Sequence, residues 1–253
     1  MLLERFPVLE FPLTADELSL LPRNSAFRYR LAADGRGVLR SPPPALRTCL
    51  LNFGGLPAAA DALPGCESGL LIPLSIADWP PLQEVYHAAF GQTLPWSVLS
   101  ATAARDLTRD CLQWVQAGGD GWLIDQACLG WFEGSRQSVG DRGELRAAAL
   151  VTLNPAGPLE DFSAAAWHDP IPDDPLRVRW GRPHLHAICV DPRWQRQGLA
   201  TALLREVIAT LQQLGYSELS STVLVDNAPS LMWHWRGGFR PAGPVRAASV
   251  TGG

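Results

Sequence analysis

Three histidines and one glycine-led turn carry the residue types in this 253-residue chain that suit chemistry. His184 and His186 stand two apart in the run His184-Leu185-His186-Ala187-Ile188-Cys189-Val190. Residues two apart on a strand share a face, and Ile188 continues that face. Histidine titrates near neutrality, so a pair on one face can move a proton at physiological pH. His234 lies further on between Trp233 and Trp235, and two roles are open to it, proton donor or packing element. Between these histidines, Gln195-Arg196-Gln197-Gly198-Leu199-Ala200 enters a helix. A helix N-terminus leaves backbone N–H groups unpaired and carries about half a positive charge, so a joint with Gly198 at closest approach can hold a diphosphate.

The elements that must position these residues are readable on either side. Leu185 to Val190 is a compact apolar run with β-branched members, and Asp191-Pro192 stops it, because proline cannot donate to a sheet ladder. Leu199, Leu203, Val207, Leu211 and Leu214 then keep one apolar helical stripe, which Gly215 ends. Leu219 to Val225 reads as the next strand. Asp226-Asn227-Ala228-Pro229 is a turn whose proline opens a short helix that runs into Gly237-Gly238-Phe239.

The spacing Gln195-x-x-Gly198-x-Ala200, with Asn227 followed eleven and twelve residues later by Gly238 and Phe239, resembles the GNAT N-acetyltransferases. The resemblance implies an α/β (α+β) fold with a central mixed, mostly antiparallel sheet flanked by helices. It implies acetyl-CoA as cosubstrate and no metal. Backbone groups of Ile188, Cys189 and Val190, at the splayed end of their strand, would bind pantetheine and the thioester oxygen. Gln195, Arg196, Gln197, Gly198, Leu199, Ala200 and Thr201 would form the pyrophosphate loop, with the side chains of Arg193 and Arg196 adding charge. Asn227 would touch the pantetheine arm.

Two family positions are filled differently here. The tyrosine that often serves as acid, seven residues after the asparagine, is replaced by His234, and the glutamate five residues before it by Thr222. His184-Leu185-His186 is similar to the arylalkylamine N-acetyltransferases, in which a His-x-His pair relays the proton from the amine. The expectation is direct attack by a primary amine, that of a small molecule, in a ternary complex; His184 and His186 take the amine's proton and His234 returns one to the thiolate. The alternatives are acetylation of a protein N-terminus or lysine, and a non-catalytic acyl-CoA-binding module.

The rest of the chain frames this region. Residues 1–68 form a proline-rich extension without a chemical motif, in which Tyr29–Leu31 and Val38–Arg40 suggest a hairpin, and residues 69–253 form the transferase domain. That domain opens with a strand at Leu70–Leu74, a helix capped by Asp78, and a second helix from near Ser97 or Ser100 to Gly118-Gly119. Ala127–Glu133 and Arg146–Leu153 read as an antiparallel pair. Residues 154–182 read mostly as a loop carrying acidic residues with Trp167 and Trp180, a composition suited to a cationic amine. With 47% hydrophobic and 18% charged residues the chain can bury a full core, and a net charge of −4 gives no nucleic-acid surface. Five cysteines without CxxC pairing fit neither a zinc site nor a disulfide framework. No membrane span or signal core is legible, so a cytoplasmic monomer or homodimer is expected.

Overall fold

The computed structural model describes residues 10–13, 28–31, 37–40, 46–55, 69–93, 96–134, 143–155, 170–225 and 227–242. Near the N-terminus, β1 (Glu10–Leu13), β2 (Arg28–Leu31) and β3 (Gly37–Arg40) make a three-stranded antiparallel sheet in the order β1-β3-β2, which includes the expected hairpin. Thr14-Ala15-Asp16-Glu17-Leu18, whose residue types suit a first helical turn, and Ser41-Pro42-Pro43-Pro44, whose prolines suit a stiff extended segment, lie outside the described residues.

Among the described residues, the main sheet has eight strands. Those on its path, in spatial order, are β11 (Arg240–Pro241), β4 (Leu46–Asn52), β10 (Glu218–Leu224), β9 (Arg182–Val190), β8 (Glu144–Asn154), β7 (Leu129–Glu133) and β5 (Gly69–Pro73). The short β6 (Trp122–Leu123) pairs with β8 beside this path. Among the described strands of this sheet, β9 and β10 run parallel and the other pairs are antiparallel. Helices α1 (Trp79–Phe90) and α2 (Ala101–Gln116) cover one face, and α3 (Leu199–Gln213) covers the other; a short α4 (Ala228–Arg236) follows β10. The fold is therefore a mixed, mostly antiparallel sheet between helices. No helix among the described residues is long and apolar enough to cross a membrane.

Alternation along β8 builds both halves of the core. Ala147, Ala149, Val151 and Leu153 face α3 and meet Leu199, Leu203, Val207 and Leu211, the stripe read from the sequence. Ala148 and Leu150 face the other way, onto Leu82, Val85 and Tyr86 of α1 and Leu112 and Val115 of α2. Burying each large aliphatic side chain stabilises by roughly 1.5–3 kcal/mol. Ser100 caps α2, its Oγ accepting from Ala103 N at 3.3 Å. Asp78 turns back to Ser75, accepting from its N at 2.6 Å and its Oγ at 2.7 Å, and so fixes the turn before α1.

Strand β4 is the main structural surprise. It falls within residues 1–68, yet it is hydrogen-bonded along all seven residues of β10, from Glu218 opposite Asn52 to Leu224 opposite Leu46. Leu51 is 1% exposed and Cys49 and Phe53 are buried in the α3-side core. Part of the extension is thus interior to the sheet, between β10 and β11. Its apolar residues at 49, 51 and 53 alternate like any half-buried strand, but nothing local says which sheet they join. Cys49, Cys111, Cys128 and Cys189 are buried, and Cys66 lies outside the described residues.

Candidate active site

The site opens where β9 and β10 part. They pair only at His184 opposite Ser220 and Leu185 opposite Ser221, although β9 continues on β8 to Val190 and β10 continues on β4 to Leu224. Among the described residues, no strand lies against the β10-facing edge of β9 beyond Leu185. Ile188, Cys189 and Val190 lie on that open stretch, so their backbone edge is available to an extended ligand. Burial pushes the Cys189 thiol up to about 12, so it is a packing group and no nucleophile.

A bulge sits at the parting point. The β8–β9 register shifts between Leu150 and Val151, whose partners are Ala187 and Leu185, so His186 is the extra residue. The bulge reverses the alternation. Leu185 packs on the α3 side, but so do Ile188 and Val190, whereas Ala187 and Cys189 join the α1–α2 core. His184, His186 and Ile188 therefore do not all share one face, which differs from the strict alternation that spacing alone predicts. His186 faces Asp120 on the α1–α2 side, with Nδ1 3.8 Å from Asp120 Oδ2.

The loop after β9 is strongly braced. Asp191 N donates to Arg146 O at 2.8 Å, and Asp191 Oδ1 accepts from Arg193 N at 2.9 Å, capping the turn Pro192–Trp194. Arg193 also places its guanidinium on that carboxylate, with Nη2 2.6 Å from Oδ2. This pairing holds the Asp191 carboxyl below its ordinary range. The buried Arg146 reaches Glu133 Oε2 at 2.6 Å, pairs with Glu144, and lies over the Trp194 ring, which in turn rests on Trp131 at 5.3 Å. Of the two arginines expected to add charge, Arg193 is thus bound to Asp191 and Arg196 is exposed.

The next residues form a concave backbone. Arg196 and Gly198 both take left-handed conformations, at φ 62° and 87°. Alternation of handedness turns successive N–H groups toward one point, the geometry of an anion nest. The α3 ladder begins with Thr201 and Ala202 donating to Gly198 O, so the N–H groups of Gly198, Leu199 and Ala200 lie before it. Gln195 ties the loop to the strand through Nε2 on Val190 O at 3.3 Å, and Gln197 reaches Arg193 O at 3.5 Å. Asn227 caps α4, its Oδ1 accepting from Ser230 N at 3.1 Å, which leaves its amide N–H₂ as a donor.

The three histidines occupy different electrostatic settings. His184 is buried, Nδ1 3.0 Å from Ser220 Oγ, which donates to Pro183 O at 3.0 Å. That fixes the proton of a neutral ring on Nδ1. Burial, with smaller contributions from His186 and His234, pulls its pKa to about 3. His234 is 4% exposed, with Nδ1 2.8 Å from Ser230 O and Nε2 2.9 Å from Ser221 Oγ. A carbonyl can only accept, so Nδ1 carries the proton of the neutral ring, and the bare Nε2 shares the single Ser221 hydroxyl hydrogen with Leu185 O, which lies 3.3 Å from that Oγ. Burial pulls this pKa to about 4, so near neutrality Nε2 has no proton to give. Phe239 and Trp233 pack on the His234 ring at 4.9 and 4.8 Å.

His186 differs from both. Its side chain is 5% exposed and its Nε2 is buried with no hydrogen-bond partner among the described residues. Thr222 Oγ1 is in the same condition. These are the first residues of β9 and β10 beyond the last paired positions. Asp120 was not singled out by sequence. The signal, visible afterwards, is one acidic residue inside Gly118-Gly119-Asp120-Gly121 directly after a helix. In the long loop, residues 156–169 with Trp167 lie outside the described residues, and Trp180 packs on the α3-side core with its carbonyl bonded to Tyr216 Oη at 3.3 Å.

Residues 164–239, the stretch that holds the loop, both parting strands and α3, match the model of the Acetyltransferase (GNAT) family. Among proteins, L-amino acid N-acetyltransferase AaaT of Escherichia coli (strain K12) is 37% identical over 67 residues, 26% of this chain and 41% of that protein's length. Among solved structures, a GCN5-related N-acetyltransferase from Sphaerobacter thermophilus is similar with TM-score 0.47 and 17% identity, covering 92% of this chain and 56% of the other. The PaiA N-acetyltransferase from Thermoplasma acidophilum, in complex with coenzyme A, is similar with TM-score 0.46 and 16% identity, covering 68% and 90%. The chain spans under half of the relative AaaT and just over half of the Sphaerobacter protein.

Proposed function

We propose that the protein is an acetyl-CoA-dependent N-acetyltransferase that acts on the primary amine of a small molecule. The observation that carries this reading is the joint of a parted strand pair with a doubly left-handed loop at a helix N-terminus. A strand edge left open over Ile188–Val190 suits the amide-bearing pantetheine arm, and the nest at Arg196–Thr201 suits a diphosphate. Asn227 borders the same opening through β10. The match of this stretch to the GNAT family and to an L-amino acid N-acetyltransferase supports amino acids as the first acceptors to test.

In this reading the acetyl group is carried on the open edge of β9 and the amine approaches from the α1–α2 side, where His184 and His186 lie. His186 takes the amine's proton, and His184 is held behind it by Ser220. We assign His234 to bracing β10, because in its neutral tautomer both ring nitrogens are occupied. The departing thiolate then takes its proton from water. The same observation favours a second reading, an acyl-CoA-binding module without catalysis, since neither a tyrosine nor a glutamate stands at the usual positions. Incubation of acetyl-CoA with an amine panel, followed by free thiol and by mass of the product, separates the two. Tight binding without thiol release under every amine would remove the enzymatic reading.

A further inference from the structure

We infer that Asp120 and Thr222 complete the amine-side site: Asp120 fixes the tautomer of His186 so that its bare Nε2, together with Thr222 Oγ1, receives the N–H groups of the acceptor amine. This deepens the acetyltransferase reading above and rests on it.

Three observations converge. His186 Nε2 and Thr222 Oγ1 are both buried and unpartnered among the described residues, and they come from the two strands that part to form the opening. Thr222 alternates with Leu219 and Val223, which face the α3-side core, so its side chain lies on the face of β10 that carries Ser220. A native fold rarely leaves two such groups without partners beside one cleft unless a ligand supplies them. The Asp120 carboxylate lies 3.8 Å from His186 Nδ1, longer than a formed hydrogen bond but near enough to favour the proton on that nitrogen. Catalytic hydrogen bonds are commonly long before substrate binds.

The placement of Asp120 is built, not incidental. Its Oδ1 accepts from Trp114 Nε1 at 3.1 Å, which aims the other oxygen at the imidazole. A Cβ at Gly119 would lie 1.9 Å from the Trp114 ring, and one at Gly121, whose φ is 104°, would lie 2.4 Å from Leu153 O. Only glycine fits on both sides, and the frame they give holds the carboxylate under the sheet. Residue 120 is 7% exposed.

The step balances without another reactant. The amine nitrogen's lone pair forms the N–C bond, the C–S bond breaks and its electron pair leaves on the CoA sulfur. The proton lost from nitrogen moves to His186 Nε2, giving an imidazolium whose Nδ1–H faces the Asp120 carboxylate. Thr222 Oγ1 accepts the amine's remaining N–H and sets its direction. His186 later releases its proton to water, and the thiolate takes one from water. A carboxylate facing Nδ1 thus strengthens the base while a hydroxyl on the other strand orients the nucleophile, and Asp120 acts through His186 as a positioning residue.

The test is nitrogen-detected NMR of the full chain labelled with ¹⁵N-histidine, with the His186 signals assigned by their loss in His186→Gln. The wild type is expected to show His186 protonated on Nδ1 and bare at Nε2, and Asp120→Asn to shift it toward the other tautomer. In turnover, Asp120→Asn should lower kcat about 10–100-fold with KM for acetyl-CoA unchanged, as befits loss of part of a general-base contribution. Thr222→Val should raise KM for the amine several-fold and Thr222→Ser should restore it. A wild-type His186 protonated on Nε2, or an Asp120→Asn variant with unchanged tautomer and kcat, would overturn the pairing. If no amine is acetylated, the transferase reading fails, while the tautomer measurement still judges Asp120 and His186 independently.

Discussion

The two ends of the opening between β9 and β10 are built by opposite means. At the loop end, from Asp191 to Thr201, the surface we propose for the cofactor is backbone: two left-handed residues, an uncapped helix start, and side chains such as Arg193 and Arg146 that brace the turn. At the histidine end the groups are buried side chains contributed by segments far apart in sequence, His186 from β9, Asp120 from the turn after α2 and Thr222 from β10. A diphosphate is the same in every acyl-CoA, so a fixed backbone cradle suffices for it. An acceptor amine differs among substrates, and side chains can be exchanged without rebuilding the sheet.

If that division holds, damage to the loop end should abolish cofactor binding, and damage to the histidine end should spare it. Gly198→Glu combines a Cβ at φ 87° with a negative charge in the nest, and it should weaken acetyl-CoA binding by at least about 100-fold, roughly 2.7 kcal/mol, in calorimetry. Retained affinity in a folded variant would move the pyrophosphate elsewhere. His186→Ala should do the reverse, lowering kcat about 10²–10⁴-fold with acetyl-CoA affinity unchanged, as measured by steady-state kinetics and calorimetry. An equal loss in both variants of binding and turnover would erase the contrast between the ends.

Smaller effects sharpen it. Leu51→Ala removes a fully buried side chain of β4 and should cost about 2–5 kcal/mol in urea denaturation, since β4 supports the whole length of β10. A negligible cost would mean that β4 is dispensable to the sheet and that the transferase core begins at residue 69. The buried histidines make the sheet acid-sensitive. The pKa values of His184 and His234 in the folded state, about 3 and about 4, lie below the ordinary 6.5. Their neutral forms therefore favour folding above pH 6.5, and each contribution is lost as pH falls from 6.5 toward its folded value. Each should remove about 1.4 kcal/mol per pH unit across that window. His234→Gln should flatten the slope by one histidine's share, read from chemical denaturation at stepped pH.

Legibility in the sequence followed the same division. The loop from Gln195 to Ala200, the stripe from Leu199 to Leu214 and the turn at Asn227 are set by short-range spacing, and the structure has a helix at Leu199–Gln213 and a cap at Asn227. The bulge at His186 was not legible, because it depends on how β8 pairs with β9, and it is what separates His186 from Ile188. Nor was the company of His186: Asp120 is brought to it by the α2 turn, and only the glycines around it hinted at a crowded position. Strand β4 was missed for a related reason. Its pattern says half-buried strand, and the partner, β10, is found only by the sheet's long-range pairing.

The most direct measurement of the central claim is the release of free CoA from acetyl-CoA in the presence of L-amino acids and simple primary amines, with product identified by mass. We predict thiol release that requires an amine, in equal amount with an acceptor heavier by one acetyl group, and lost in His186→Ala while that variant still binds acetyl-CoA. Thiol release that is independent of any amine, or undiminished in His186→Ala, would contradict the account.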